Sequence, residues 1–533
     1  MPRVLSAILF SPRGGSAHAA RALARGVRDQ GWTVTLVAGS RGDQGVHGDA
    51  RAFYGDVRPV AFDAALASDA PQRFAGRPGS APLHPSFEDR VGAPDRVFAT
   101  LNDHEYELQV AAWSRELTRA GAREADVLHL HHLTPINEAA ARVAPDVPIV
   151  GQLHGTELLM LERIDGPDPP DWPYAARWSA RMRRWAQQCA RLVVAPAAVE
   201  RAASLLGVPR ERLSAVSNGV DVDLFTSASV DREAFWRRVL IERPRGWLPG
   251  QAPGSARYRE ADVAALAAGV VLLYVGRFTA VKRLDRLISA FGHTRERLEA
   301  PAGLVLVGGH PGEWEGEHPA QIAARLEVPG VFLAGWHTQE ELPEFFSAAE
   351  AVVLTSEREQ FGQVIVEGMA CGLPAVATRS LGPTTIITDG ETGWLVDPDS
   401  QPALVTALTD VVRDRAERER RGELARVVVR ERYSWAGAAE QLATLFADVV
   451  TASGNHPRST PVKPNARSEC SRLPAAEAAW TTVGQTIRPA GRAPSPGPAR
   501  PRRGVQGAAV RPELGGAASV VSREYRPDAG ARE

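Results

Sequence analysis

The chain has 533 residues, enough for about three and a half domains of ordinary size, and 44% of them are hydrophobic and 23% charged. Those proportions exclude a small disulfide-stapled module and wholesale disorder. Lys plus Arg number 62 against 63 Asp plus Glu, and the net charge of −1 leaves no global electrostatic footprint for nucleic acid or anionic lipid.

Taken in chain order, the run Val4 to Phe10 reads as a strand, although Arg3, that run and the small residues Ser16 to Ala19 faintly imitate a cleavable export signal. Pro12 to Gly15 reads better as a loop leaving the strand. Ser16 can cap a helix on which Ala20, Leu23 and Val27 share a face, Gly31 stops it, and Thr33 to Val37 makes the next strand. This is a βαβ unit. Val127 to Leu130, Ile149 to Leu153 and Leu192 to Ala195 read as further strands. Between them, a helix near Pro173 to Arg191 puts Trp178, Met182, Trp185 and Cys189 on one stripe and Arg177, Arg181 and Arg184 on another. A basic amphipathic helix suits a peripheral membrane contact at the inner face; a Trp and Met stripe is more often core, and core is favoured here.

Residues 226–262 are rich in turn formers, with Arg243 to Gly254 unsuited to a regular element. A second series then begins with strand Val270 to Val275, a helix near Leu284 to Phe291, and strands Leu304 to Val307, Val331 to Ala334 and Val352 to Leu354. Alternation of strands with crossover helices predicts an α/β protein with parallel sheets. We expect two facing Rossmann-like domains, 1–225 and 263–450, across a cleft, with the last helix placed to pack back on the first domain. From 451 onward Pro, Gly, Ala, Ser and Arg dominate, with 13 Lys/Arg against 6 Asp/Glu, and residues 451–533 read as a disordered tail. The longest uncharged apolar stretch, Val263 to Gly276, is too short to cross a bilayer. Cys189, Cys371 and Cys470 form no C-x-x-C pair, which argues against disulfides and a zinc cage and for a reducing cytoplasm.

Two carboxylates eight positions apart, Glu359 and Glu367, flank the start of a helix near Gln363. The first can accept hydrogen bonds from sugar hydroxyls while Phe361 and Gly362 present backbone N–H groups beside it; the second can grip vicinal hydroxyls such as a ribose. An acidic helix start alone would be ordinary. Its company is not: strand Val271 to Val275 ends in Gly276 and Arg277, with Lys282 five positions on. That places two cations where open α/β sheets bind ligands, and a close pair to a diphosphate is worth on the order of 4 kcal/mol at an effective dielectric of 20. His154 closes an apolar strand before Gly155, which lets a ligand approach. His129, His131 and His132 crowd a strand end without a carboxylate or cysteine at ligand spacing, so no metal is expected.

The ordered run Gly276-Arg277 with Lys282, Leu306 to Gly308, Glu359 to Glu367, Met369 to Pro374 and Asp389 to Gly393 strongly resembles retaining glycosyltransferases of the GT-B fold, glycosyltransferase family four. The likeness spans residues 1–450 and includes Gly14-Gly15, Asp126 to His131, Val150 to Thr156 and Ser217 to Asp221. It implies a nucleoside-diphosphate sugar held mostly by the second domain, with no metal or other cofactor. By that resemblance, Arg277 and Lys282 would bind the diphosphate beside Gly276. Glu359 with Phe361, Gly362, Gln363 and Val364 would hold the donor sugar, Glu367 the ribose, Gly15 the phosphate across the cleft, and His154 would lie near the reacting sugar. The implied reaction is hexosyl transfer to an acceptor hydroxyl with retention, the departing phosphate taking the acceptor proton.

Leu381 to Ile386 departs from the usual Gly-Gly turn and carboxylate, so no glutamate is assigned a role there, and Trp336 stands where the base is expected, as a stacking or merely lining residue. The alternatives are a sugar-nucleotide epimerase, a glycan phosphorylase and a non-catalytic sugar-nucleotide binder; motif order disfavours the first two, and intact Glu359, Arg277 and Lys282 the third. A dehydrogenase would want G-x-G-x-x-G after the first strand, which is missing. Donor sugar, nucleotide base and acceptor stay open, whether the acceptor is a glycan, a lipid-linked group or a small molecule.

Overall fold

The computed structural model describes residues 1–454 apart from 13, 43–44, 46–47, 69, 75, 88–94, 299 and 312–313. In the first half the apolar runs become β1 (Arg3–Ile8), β2 (Thr33–Ser40) and β3 (Arg58–Ala61), a small separate pair β4 (Pro85–Ser86) and β5 (Arg96–Val97), then β6 (Val127–His131), β7 (Ile149–Gln152), β8 (Arg191–Val194) and β9 (Leu213–Ala215). Seven of these form one sheet in the order β3-β2-β1-β6-β7-β8-β9. The second half supplies β10 (Val270–Val275), β11 (Ala302–Val307), β12 (Val331–Gly335), β13 (Ala351–Leu354), β14 (Ala375–Thr378) and β15 (Gly393–Val396), in the order β12-β11-β10-β13-β14-β15. Neighbours within both sheets run parallel. The predicted α/β architecture of two Rossmann-like sheets is what the chain forms. Each sheet reverses its building direction once, between β1 and β6 and between β10 and β13, and such reversals open the crevice where ligands bind.

Strand period 2 decides what covers each face. Val4, Val127, Val150 and Val193 point to one side of the first sheet, against Leu23 and Val27 of helix Gly15–Asp29 and Leu442 and Phe446 of the last helix, Trp435–Ala452. The helices meet where Gly26 leaves room: a Cβ there would stand 2.5 Å from that of Ala439. The last helix thus belongs to the core of the first half. The chain crosses between the halves near residue 220 and returns near 433, where the Val220 N–H donates to the Tyr433 carbonyl at 2.7 Å.

Two expectations need correction, the helix cap and the irregular linker, and others hold. The first helix starts at Gly15 with Gly14, at φ 81°, as its cap, so Ser16 lies inside the first turn and caps nothing. Residues 226–262 are not irregular throughout: helix Arg232–Arg237 runs into a π turn, Arg238–Glu242, and helix Glu260–Ala268 begins there too. Turn-former composition hid an apolar stripe, Phe235, Trp236, Val239 and Leu240, all buried. Helix Ala175–Gln188 buries Trp178, Met182 and Trp185 completely, Trp178 stacking on Phe98 at 4.6 Å, while Arg177 and Arg181 pair with Asp103 and Arg184 with Glu138. Its apolar stripe is core and offers nothing to a membrane. Among the described residues no helix is long and apolar enough to cross one; Val263 to Gly276 divides into the end of a helix and β10. Cys189 and Cys371 are buried free thiols. Of the expected tail, residues 455–533, Cys470 among them, lie outside the described residues.

Candidate active site

In the second half the site grows from the carboxyl end of β10. Gly276 and Arg277 follow the strand, and a 3-10 turn, Ala280–Lys282, lifts Lys282 toward the neighbouring loop. There the Lys282 ammonium donates to Glu359 Oε2 at 2.6 Å, and the Ser356 hydroxyl approaches the same oxygen at 3.4 Å. The proposed phosphate ligand and sugar ligand therefore hold each other. Arg277 is exposed, its carbonyl taking the Tyr274 hydroxyl at 2.7 Å. Gly362, at φ 98°, turns the chain into helix Gln363–Ala370, a left-handed position that glycine occupies without strain. Phe361 is buried, and Val364 half-buried in the first helical turn. Gln363 reaches elsewhere, donating to the Gly219 carbonyl in the crossing segment at 2.9 Å. Glu367 is 5% exposed; burial pushes its carboxyl up to about 7, and the Gln339 and Gln363 amides oppose that only in part. Gln339 Nε2 donates to Glu367 Oε1 at 3.0 Å. Trp336 lies beside His310, ring centroids 5.4 Å apart.

In the first half, Gly14 and Gly15 open helix Gly15–Asp29, and a Cβ on either would meet nothing within 4 Å. Among the described residues, nothing fills the space over this helix start. His154, half-buried beyond β7, shares a hydrogen bond with His131, Nε2 to Nδ1 at 3.0 Å. Its backbone N–H donates to Glu157 Oε2 at 3.3 Å, and Glu157 Oε1 lies 2.6 Å from His132 Nδ1. His132 adopts the left-handed φ of 67°, and its ring packs against those of Phe10 and His154, centroids 4.9 and 4.5 Å away. Burial depresses the His129 imidazole to about 4 and holds His131 and His154 well below the usual range, so all three are neutral near pH 7. Among the described residues no His, Cys, Asp and Glu group could hold a metal.

The halves meet at this site through contacts that sequence spacing does not reveal. A Cβ on Gly155, at φ 95°, would lie 2.3 Å from Gln360 Cγ, so only glycine admits that approach. Arg201 donates to Gln360 Oε1 at 2.9 Å. Arg21, one turn and a half into the first helix, donates to Gln339 Oε1 at 3.2 Å, which links it through the amide to Glu367. His18 sits on the same helix, its Nδ1 buried without a hydrogen-bond partner among the described residues. His18, Arg21 and Gln339 escaped the sequence reading because each acts across more than 300 residues of chain. Beside the Gly155–Gln360 contact a groove of about 600 Å³ opens, lined by Glu162, Arg163, Asp168, Arg201, Arg358 and Leu381.

Residues 13–224 match the family model described as glycosyltransferase family 4, and residues 264–428 match that of glycosyl transferases group 1. The D-inositol 3-phosphate glycosyltransferase of Kribbella flavida is 28% identical over 338 residues, 61% of this chain and 73% of that protein. The N-acetyl-alpha-D-glucosaminyl L-malate synthase of Bacillus anthracis is 25% identical over 350 residues, 65% and 80% of the two chains. The solved structure of Anabaena HepE in complex with UDP-glucose shares the fold at a TM-score of 0.57, with 17% identity, over 84% of this chain and 99% of that one.

Proposed function

Because this chain belongs to the family-4 glycosyltransferases, we propose that it moves a hexosyl group from a nucleoside-diphosphate sugar to an acceptor hydroxyl with retention at the anomeric carbon and without a divalent cation. The observation that carries this reading is the Lys282–Glu359 pair at the carboxyl end of β10, one residue from the Gln360–Gly155 contact that brings His154 to the same crevice. An arriving diphosphate competes with Glu359 for the ammonium and frees that carboxylate for sugar hydroxyls. Arg277 can fork across two phosphate oxygens while Lys282 supplies a point charge. Glu367 takes the ribose once Gln339 yields. Glu157, Glu359 and Glu367 are each engaged, by His132, Lys282 and Gln339. This supports a route in which the leaving phosphate takes the acceptor proton while the protein positions the reactants and stabilises the leaving charge.

We place the acceptor in the adjoining groove. Arg163, Arg201 and Arg358 stand there against Glu162 and Asp168, a positive surplus that suits an acceptor bearing an acid or a phosphate; two relatives carry L-malate and inositol 3-phosphate in their names. The test is a thermal-shift screen against UDP-, GDP- and ADP-sugars in EDTA. The cognate donor at 100 times its Kd should stabilise the protein by about 2.7 kcal/mol. No shift with any of them, or a shift only with magnesium or manganese, refutes the reading.

A further inference from the structure

On the face of the first sheet that carries Val4, Val127 and Val150, the residues nearest the carboxyl ends turn polar: Ser6 on β1, His129 and His131 on β6, Gln152 on β7. All four are at most 3% exposed. Register puts Ser6 opposite His129 and His131 opposite Gln152. Gln152 Oε1 lies 3.2 Å from His129 Nε2, Ser6 Oγ lies 3.4 Å from His129 Nδ1 and 3.3 Å from His131 Nε2, and His131 Nδ1 lies 3.0 Å from His154 Nε2.

Proton counting gives this chain one direction. A carbonyl oxygen only accepts, so His129 carries its proton on Nε2 and its Nδ1 is bare. The single Ser6 hydroxyl proton goes to that bare nitrogen, leaving Ser6 Oγ to accept from His131 Nε2–H. His131 Nδ1 is then bare and accepts from His154 Nε2–H. We propose that Gln152, His129, Ser6 and His131 form a positioning relay that fixes His154 as its Nε2–H tautomer and presents a bare Nδ1 lone pair at the crevice. The burial that keeps these imidazoles neutral keeps the count intact near pH 7. A bare nitrogen accepts from a hydroxyl and repels a phosphate oxygen. Building on the donor reading above, the relay thus assigns His154 to a sugar hydroxyl and leaves the diphosphate to Arg277 and Lys282. Turning the Gln152 amide round would reverse every bond and give the opposite specificity.

Histidine ¹⁵N spectra of the whole protein read the tautomer directly, His154 being identified by the signal lost in His154→Gln. The wild type should show Nε2 protonated and Nδ1 bare. Ser6→Ala, which cuts the relay, should mix the two tautomers and lower kcat about fivefold, the weight of one hydrogen bond, with the donor KM held within about twofold. A wild-type His154 protonated on Nδ1 overturns the relay, as does a single unchanged tautomer in Ser6→Ala. The spectrum needs no donor, so the expected tautomer in a protein that retains no nucleotide sugar would refute the donor reading and leave the relay standing.

Discussion

At the scale of single residues, the site is held in a self-paired state that a ligand must rearrange. On the proposed donor binding, Lys282→Ala and Arg277→Ala each remove a cation from the leaving diphosphate, and each should cost about 3 kcal/mol in transition-state stabilisation, a fall in kcat/KM of two orders of magnitude or more. Steady-state kinetics on variants shown to be folded by circular dichroism checks this. Glu367 gives a pH signature. Its carboxyl is raised from 4.5 to about 7 in the folded chain, so between those values the folded state binds more protons than the unfolded one and stability falls as pH rises. Its contribution is intact below about 4.5 and is lost through pH 7, a cost on the order of 3 kcal/mol at the upper end. Glu367→Gln should abolish that slope, as urea melts at pH 5 and pH 8 would show. Ribose hydroxyls donate best to the ionised form, so wild-type donor affinity should rise over the same interval.

At the scale of elements, the strands and their parallel order were readable because apolar runs alternate with helical period, and the carboxylate pair was readable because Glu359 and Glu367 lie within one loop and helix. Six strands went unread: β4, β5 and β9 have three residues or fewer, β3 carries Pro59, β14 is half alanine and β15 opens on Gly393, residues that strands disfavour. The π turn at Arg238–Glu242 was hidden by the turn formers that follow it. Arg21, Gln339 and Gln360 give no local signal, since what makes them site residues is the partner each meets from the other half. Helix Gly15–Asp29 carries a prediction of its own. Gly26→Leu would push it off Ala439 and cost about 1–3 kcal/mol by overpacking. Because Gly15 starts the same helix, donor KM should rise alongside the fall in Tm, whereas Glu440→Ala, exposed on the partner helix, should change neither.

At the scale of the whole molecule, the fold places its chemistry between two sheets that one polypeptide visits in sequence and then revisits. A chain ending at residue 434 keeps every predicted site residue yet loses the helix that covers Val4, Val127, Val150 and Leu23. It should be aggregation-prone through that uncovered apolar face and should regain solubility and donor binding when residues 435–454 are supplied by fusion ahead of Met1, as size-exclusion chromatography and thermal shift would report. The last helix also sets a clock for synthesis in the cell. Translation at about 5–20 residues per second leaves roughly 10–50 s between emergence of the ninth strand, Leu213–Ala215, and that of Phe446. During that interval a nascent first half stands with one flank unsealed, a dwell in which a holdase chaperone would find it.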